Sequence, residues 1–221
     1  MTTPLQYKED TSYFMDFSFG VSRHTFIPRP ETELVVERAV YLAGHLREKS
    51  ENNVIKILEI GTGSGNIAVS LASYMPDTVI VAVDVSEKAL ETAKNNAIKY
   101  NVQHQIKFVQ SDLFASVHEA GEFDMIISNP PYVSLDDMLS LPDVVKKEPY
   151  VALFGGDDGL YFYREICSKA VRYLKKNAFI LFEIGYNQSE DVANIMKESH
   201  IAQVSCFKDY NGIDRIMEGR I

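Results

Sequence analysis

The order of hydrophobic and polar positions separates a short N-terminal region from a long run of alternating strands and helices. In the N-terminal region, apolar residues alternate with polar or small ones at Met15, Phe17, Phe19 and Val21. This period of two predicts a short hairpin strand packed on the main domain. Prolines in residues 27–30 break the pattern, and apolar residues at helical spacing then predict a helix from Pro30 to about Lys49.

The rest of the chain repeats a pattern of apolar strand, loop and helix. The predicted strands cover residues 54–60, 78–83, 106–109, 124–127, 179–184, 204–207 and 214–217. The predicted helices cover residues 66–74, about 86–100, 159–173 and 189–198, and a long loop precedes the third of them. Apolar strands that alternate with helices indicate a parallel sheet covered on both faces, and the Asn211-Gly212 turn predicts an antiparallel hairpin at one edge. We therefore predict an α/β fold with a mostly parallel seven-stranded sheet, in which residues 1–30 form a hairpin extension and residues 31–221 the main domain.

Composition and charge narrow the class of protein. The chain has 221 residues, a length that fits one domain. Its formal net charge of −9 differs from the positive charge typical of proteins that bind nucleic-acid backbones. Residues 1–10 lack the apolar core of a secretory signal, and no apolar run approaches the roughly 20 residues of a membrane span. We expect a cytoplasmic protein with neither a membrane nor a nucleic acid as direct partner. Cys167 and Cys206 are expected to be reduced core thiols, and the scattered histidines indicate no metal site.

A glycine-rich turn follows the first strand of the repeating region, in Glu59-Ile60-Gly61-Thr62-Gly63-Ser64-Gly65. Glycine lets the backbone turn sharply and approach a ligand closely, although a plain strand-to-helix turn is an alternative explanation. Asn66 stands where dinucleotide-binding loops have their third glycine, and the lysine of phosphate-binding loops is absent. The turn therefore suits a nucleoside ligand without a pyrophosphate, and S-adenosylmethionine is such a ligand.

Polar residues at the ends of the next two strands extend this interpretation. Asp84 lies about 20 residues beyond the glycine turn, where a carboxylate can accept hydrogen bonds from both ribose hydroxyls; capping the next helix is the alternative. Ser111-Asp112-Leu113-Phe114 follows the third strand and could bind an adenine ring, although Ser-Asp is also common in ordinary turns. Since ligands of open α/β sheets bind beyond the carboxyl ends of the strands, we expect these positions to converge.

The fourth strand ends at Asn129-Pro130-Pro131-Tyr132. Asn-Pro also favours ordinary turns, but two prolines stiffen the backbone and leave carbonyl acceptors without N–H donors. The Asn129 side-chain oxygen and the Pro130 carbonyl could together accept both N–H bonds of a planar NH₂ group, on which Tyr132 could stack. This combination suits a substrate that carries an amide or an aromatic amine.

These motifs together resemble the class I S-adenosylmethionine-dependent methyltransferases that modify planar nitrogens. Further segments resemble signatures of the bacterial release factor glutamine methyltransferases: residues 26–33 (Phe-Ile-Pro-Arg-Pro-Glu-Thr-Glu), Glu148-Pro149, residues 152–160 (Ala-Leu-Phe-Gly-Gly-Asp-Asp-Gly-Leu) and residues 211–215 (Asn-Gly-Ile-Asp-Arg). The resemblance runs from about Tyr13 to the C-terminus. It implies a Rossmann-like catalytic domain over residues 31–221, S-adenosylmethionine as cofactor, S-adenosylhomocysteine as product, and a peptide chain release factor whose Gly-Gly-Gln glutamine is methylated.

The resemblance also implies roles for individual residues. The reaction is expected at Asn129, Pro130, Pro131 and Tyr132. The cofactor is expected to contact Glu59, Gly61, Thr62, Gly63, Ser64, Gly65, Asp84, Val85, Asp112, Leu113 and Asn129. The substrate is expected to contact Arg29, Glu31, Asn129, Pro130 and Tyr132, although spacing alone favours a solvated helix start for Arg29 and Glu31. Residues 133–150 could form a lid or an ordinary connection.

The chain departs from this family in two places. Relatives usually begin with a helical domain of several dozen residues, whereas this chain starts almost at the hairpin, so it resembles a catalytic domain alone. We separately expect a monomer. Leu113 stands where relatives often have tryptophan, which weakens the expected stacking on adenine. Two other functions remain open: an adenine-N6 or guanine-N2 nucleic-acid methyltransferase, and a non-catalytic binding module. The glycine spacing disfavours a dinucleotide-dependent oxidoreductase.

Overall fold

The protein is described by a computed structural model that covers residues 3–47 and 54–221. Its strands are β1 (Thr11–Phe14), β2 (Phe17–Gly20), β3 (Ile55–Ile60), β4 (Thr78–Asp84), β5 (Ile106–Gln110), β6 (Phe123–Ser128), β7 (Leu174–Glu183), β8 (Ala202–Lys208) and β9 (Asp214–Arg220). Its helices are α1 (Leu5–Lys8), α2 (Pro30–Arg47), α3 (Asn66–Tyr74), α4 (Glu87–Lys99), α5 (Leu135–Ser140), α6 (Tyr150–Leu153), α7 (Tyr161–Tyr173) and α8 (Ser189–Glu198), with a 3₁₀ turn at Val145–Lys147. None of these helices is both long and apolar enough to cross a membrane.

The main sheet has seven strands in the order β5-β4-β3-β6-β7-β9-β8. Five strands from β5 to β7 run parallel, and β9 pairs antiparallel with both β7 and β8. The predicted α/β fold with a mostly parallel seven-stranded sheet is confirmed, as is the antiparallel hairpin at one edge. The chain leaves β3 toward β4 on one side and returns to β6 on the other, so a crevice opens at the carboxyl end of β3.

Helices cover both faces of this sheet because its strands carry apolar side chains on both sides. Ile57 of β3 packs into one core cluster with Val35 and Leu42 of α2 and with Leu71 of α3. The neighbouring Leu58 points the opposite way, as successive strand residues do, into a second cluster. That second cluster includes residues of α7 and α8, namely Tyr163, Ile166, Val192 and Met196.

The N-terminal hairpin of β1 and β2 packs on the first of these clusters. Phe14 and Phe19 are 1% and 0% exposed, and Asn96 of α4 bonds both backbone groups of Gly20. The predicted hairpin is confirmed, but the predicted strand position of Met15 is wrong. Met15 has φ 51° and lies in the turn between the two strands, where a left-handed backbone reverses the chain.

Several other predicted elements need correction. The long loop before α7 contains α5, the 3₁₀ turn and α6, and β7 begins at Leu174 rather than at Phe179. The edge hairpin turns through residues 209–213 rather than through Asn211-Gly212 alone, because the Asp209 carboxylate accepts hydrogen bonds from two backbone N–H groups of that loop. The predicted end of α2 near Lys49 lies outside the described residues.

The two cysteines differ in burial. Both are free thiols, as predicted, but only Cys167 is in the core, where burial raises its pKa to about 12. The prediction of a core position is wrong for Cys206, which is exposed on the edge strand β8. An edge strand has one side open, so an apolar stretch there does not guarantee burial.

Candidate active site

A cavity of about 340 Å³ lies at the carboxyl ends of β3, β4 and β6. Glu59, Asp84 and Asn129 line it from the ends of these three strands. The segment before α2 adds a second wall, with His24, Phe26, Pro28 and Arg29. The connection from β6 to α7 adds a third, with Leu141, Val145, Val151 and Leu153. The cavity therefore brings together three stretches of chain that are far apart in sequence.

The glycine turn after β3 presents bare backbone to this cavity. Gly61 and Gly63 have φ of 77° and 56°, and apart from their chain neighbours no atom of the described residues lies within 4 Å of where a Cβ would stand on either. Gly65 differs, since its Cβ would lie 3.0 Å from Ala93 Cβ on α4, and Gly65 does not line the cavity. The first two glycines leave room for a ligand, while the third allows α3 and α4 to pack closely.

The Asp84 carboxylate is held by backbone donors on both sides. Its Oδ2 accepts a hydrogen bond of 2.9 Å from Gly63 N, and its Oδ1 accepts one of 2.9 Å from Ser86 N. Burial raises the pKa of Asp84, and the backbone donors oppose that rise. Each oxygen keeps a further lone pair. The predicted alternative role in helix capping belongs to Ser86, whose hydroxyl accepts from Ala89 N at the start of α4.

Glu59 is a buried carboxyl with an unused oxygen. It is 1% exposed. Its Oε2 accepts from the Thr62 hydroxyl at 2.7 Å, and its Oε1 is buried without a hydrogen-bond partner among residues 3–47 and 54–221. Burial raises the pKa of Glu59 to about 7. An unpaired buried carboxylate oxygen is costly unless a donor or a positive charge completes it. S-adenosylmethionine carries both a sulfonium and an ammonium group, so these residues fit that cofactor.

The Ser111–Phe114 segment divides between the cavity and the core. Ser111, Asp112 and Leu113 line the cavity next to Val85, which is 56% exposed. Phe114 instead stacks on Tyr173 with ring centroids 4.5 Å apart. The aromatic ring of this segment is therefore turned into the core, and Val85 and Leu113 offer apolar surface to an adenine at this position.

Asn129 is oriented by two partners that the sequence patterns did not reveal. Its Nδ2 donates to Glu183 Oε2 at 2.9 Å and to Thr32 Oγ1 at 3.2 Å. Glu183, at the end of β7, is 1% exposed, and burial raises its pKa to about 7. Asn129 lines the cavity, and because the nitrogen side of its amide is engaged, Oδ1 is left as the acceptor that the side chain can offer. An acidic residue at the end of an apolar strand, as at Asp84, was the available signal for Glu183.

Close backbone packing and one glutamine hold the Pro131-Tyr132 turn. A Cβ on Gly155 would lie 2.7 Å from Pro131 O, and one on Gly159 would lie 2.4 Å from Tyr132 O. Gln188 donates to the Tyr132 carbonyl at 3.0 Å. Burial holds the pKa of the Tyr132 phenol well above its usual range. The glycine-rich segment 152–160 thus serves to fix the turn after β6.

Arg29 lines the cavity, whereas Glu31 does not. The Arg29 guanidinium pairs with Glu148 and lies 4.6 Å from the Phe26 ring centroid. Glu148, whose side chain is 2% exposed, also accepts from Ile27 N at 3.0 Å. The two distant segments 26–33 and 148–160 are therefore joined by one buried carboxylate.

Comparisons with known proteins identify the fold and the family. The family described as "Methyltransferase small domain" matches residues 39–141. The catalytic domain of hMettl16 in complex with MAT2A 3′UTR hairpin 6 superposes with a TM-score of 0.71 at 14% identity, over 97% of this chain and 88% of its own. At that identity, the likeness concerns the fold alone.

Two curated relatives carry the family assignment. The release factor glutamine methyltransferase of Clostridium botulinum is 37% identical over 98% of this chain and 75% of its own length. That of Fusobacterium nucleatum is 39% identical over 97% of this chain, which spans 59% of the relative's length. The chain therefore belongs to the release factor glutamine methyltransferase family, whose members are S-adenosylmethionine-dependent methyltransferases.

Proposed function

We propose that this chain transfers the methyl group of S-adenosylmethionine to the side-chain amide nitrogen of the glutamine in the Gly-Gly-Gln motif of a peptide chain release factor. The observation that carries the proposal is the orientation of Asn129. Its amide nitrogen is engaged by Glu183 and Thr32, which leaves an oxygen acceptor beside the cofactor residues. A primary amide is a substrate that such an acceptor can hold.

In this mechanism, Asn129 Oδ1 and the Pro130 carbonyl accept the two N–H bonds of the substrate amide. Tyr132, a neutral phenol, packs on the planar amide group. An amide lone pair is delocalised into its carbonyl, so the acceptors contribute most if they favour the tetrahedral nitrogen of the transition state. Holding the substrate nitrogen in line with the methyl carbon and the sulfur would supply the rest of the rate enhancement.

The bound cofactor supplies the electrophilic methyl group. Asp84 is placed to accept from the ribose hydroxyls, and Glu59 Oε1 from the cationic end of the molecule. With the cofactor bound, its sulfonium would supply the methyl group to the amide nitrogen, which would give up one proton to water. The products are S-adenosylhomocysteine and N-methylated glutamine.

The connection from β6 to α7 is proposed as the surface that meets the protein substrate. Leu141, Val145 and Val151 line the cavity, and Leu135 and Leu139 in the same connection are 49% and 77% exposed. Apolar side chains at the rim of a reaction cavity can exclude water once a partner covers them. We therefore propose that the release factor loop enters between this connection and Arg29.

Methyl transfer from labelled S-adenosylmethionine to a purified bacterial release factor tests the proposal. A release factor with the Gly-Gly-Gln glutamine replaced by alanine is the matched control. Label on the first and none on the second is the expected result. Label on both would move the target elsewhere on the factor. Label on DNA or RNA alone, with proven cofactor binding, would favour the exocyclic-amine reaction instead.

A further inference from the structure

We infer that Glu183 and Thr32 are positioning residues that keep the Asn129 amide with Oδ1, rather than Nδ2, toward the substrate. The inference rests on the proposed function, since it assigns the orientation that a substrate NH₂ group requires. Neither residue touches the substrate in this scheme. Both act through Asn129.

A single carboxylate oxygen organises the arrangement. Glu183 Oε2 accepts from the Thr32 hydroxyl at 2.5 Å and from Asn129 Nδ2 at 2.9 Å. The Thr32 oxygen accepts in turn from Asn129 Nδ2 at 3.2 Å. Glu183 and Thr32 are 1% and 2% exposed, so water does not compete freely with these bonds.

An asparagine amide can rotate by half a turn and exchange its oxygen and nitrogen with little change in shape. Rotated, it would set Oδ1 against the Glu183 carboxylate and present an NH₂ donor to the substrate's own NH₂ group. An ionised carboxylate is an acceptor only, so it excludes this rotated form. A protonated Glu183 could donate to Oδ1 and would tolerate it.

Several groups around Glu183 determine its charge. Burial is the largest influence and raises the pKa of Glu183 to about 7, and the negative charge of Glu31 on α2 acts in the same direction. The hydrogen bonds from Thr32 and Asn129 and the positive charge of Arg215 on β9 oppose this rise. Tyr132 faces it as a neutral phenol, and the Tyr163 hydroxyl donates to its backbone carbonyl at 3.0 Å. The orienting carboxylate therefore gains a proton close to neutral pH, whereas the substrate amide and the sulfonium do not titrate there.

The test compares wild type with Glu183→Gln and Thr32→Val, measuring kcat and KM at saturating S-adenosylmethionine and release factor between pH 6 and 9. A matched control is Glu218→Gln on β9, another buried acid, which pairs with Arg38 outside the cavity. Glu59 titrates in the same pH range. Saturation with the cofactor keeps any effect of Glu59 on cofactor binding out of kcat, so the pH dependence of kcat reports on Glu183.

We expect wild-type kcat to fall about tenfold per pH unit below the pKa of Glu183. In Glu183→Gln, kcat should be lower by on the order of 10²-fold at pH 8 and flat with pH, with the KM for the cofactor little changed. Thr32→Val should lower kcat by less, because one acceptor remains. A kcat within threefold of wild type for Glu183→Gln, or the same acidic limb in that variant, would overturn the inference.

If the wild-type protein methylates no release factor, the proposed function is refuted. A second measurement, which needs no turnover, still tests the inference in that case. The side-chain NH₂ resonances of Asn129, identified by their loss in Asn129→Ala, are followed by NMR against pH with S-adenosylhomocysteine bound. We expect them to titrate with Glu183 in wild type and in Glu218→Gln, and to stop titrating in Glu183→Gln. Titration that persists in Glu183→Gln would overturn the positioning role.

Discussion

The two halves of the cavity, proposed to hold the cofactor and the substrate, are built over different distances along the chain. On the cofactor side, Glu59 is bonded by a residue 3 positions away, and Asp84 by residues 2 and 21 positions away. On the substrate side, Asn129 is bonded by residues 97 and 54 positions away, and Arg29 pairs with a residue 119 positions away. The contacts on the cofactor side therefore span at most 21 residues along the chain, whereas those on the substrate side join segments 54 to 119 residues apart.

This comparison predicts that the two halves can be inactivated separately. Replacing Asn129 by alanine removes the substrate acceptor and should lower kcat by on the order of 10³-fold or more. Cofactor affinity should change by only a few fold, because Asp84, Glu59 and the glycine turn remain. Single-turnover methyl transfer and calorimetric titration with S-adenosylhomocysteine measure the two effects. Near-normal turnover in this variant would refute the mechanism.

The converse substitution acts on the cofactor half. Asp84→Ala removes an acceptor for two ribose hydroxyls, and hydrogen bonds to a charged group contribute about 1.5–3 kcal/mol each. We expect the Kd for the cofactor to rise by about 10²-fold or more. At saturating cofactor, kcat should stay near that of wild type. A large loss of kcat under those conditions would show that the halves are coupled.

The two kinds of glycine in the turn sharpen the comparison further. Gly63→Ala and Gly65→Ala both place a Cβ at positive φ, at a cost of about 1–2 kcal/mol. Gly65→Ala also presses on Ala93 at 3.0 Å, so it should lower the unfolding temperature more. Gly63→Ala should lower the affinity for the cofactor more than Gly65→Ala does, because its methyl group enters the open side of the turn. The opposite ranking in thermal unfolding and cofactor titration would contradict these assignments.

A smaller effect concerns the pH dependence of stability. In the folded chain, the pKa of Glu59 is raised from 4.5 to about 7. Its favourable contribution to folding is therefore complete below pH 4.5 and is lost as pH rises through about 7. Glu59→Gln should gain stability over wild type between pH 5 and 8, by about 1–3 kcal/mol. Urea unfolding at several pH values measures this, with Glu218→Gln as control. Saturating S-adenosylmethionine should reduce the difference, since its positive charge favours the carboxylate.

Much of the fold was predictable because its patterns are local. Helix α3 has the predicted bounds, and β4 differs from the predicted strand only by Asp84. The errors occur where the tertiary surroundings, and not the local pattern, decide the structure. Met15 lies in the turn of the hairpin, Cys206 lies on an open edge strand, and a predicted loop contains α5 and α6. The glycine turn and Asp84 were also identifiable, since each follows an apolar strand and converges by the geometry of a parallel sheet.

The sequence by itself determined the succession of strands and helices along the chain, the motifs at the strand ends and the family. It did not determine which partner orients Asn129, because Thr32 and Glu183 reach it from two other elements. Nor did it separate Gly65, which packs a helix, from Gly61 and Gly63, which face the cavity. Hydrogen bonds and close packing of this kind depend on distances between remote segments, and those distances exist only once the core has brought the segments together.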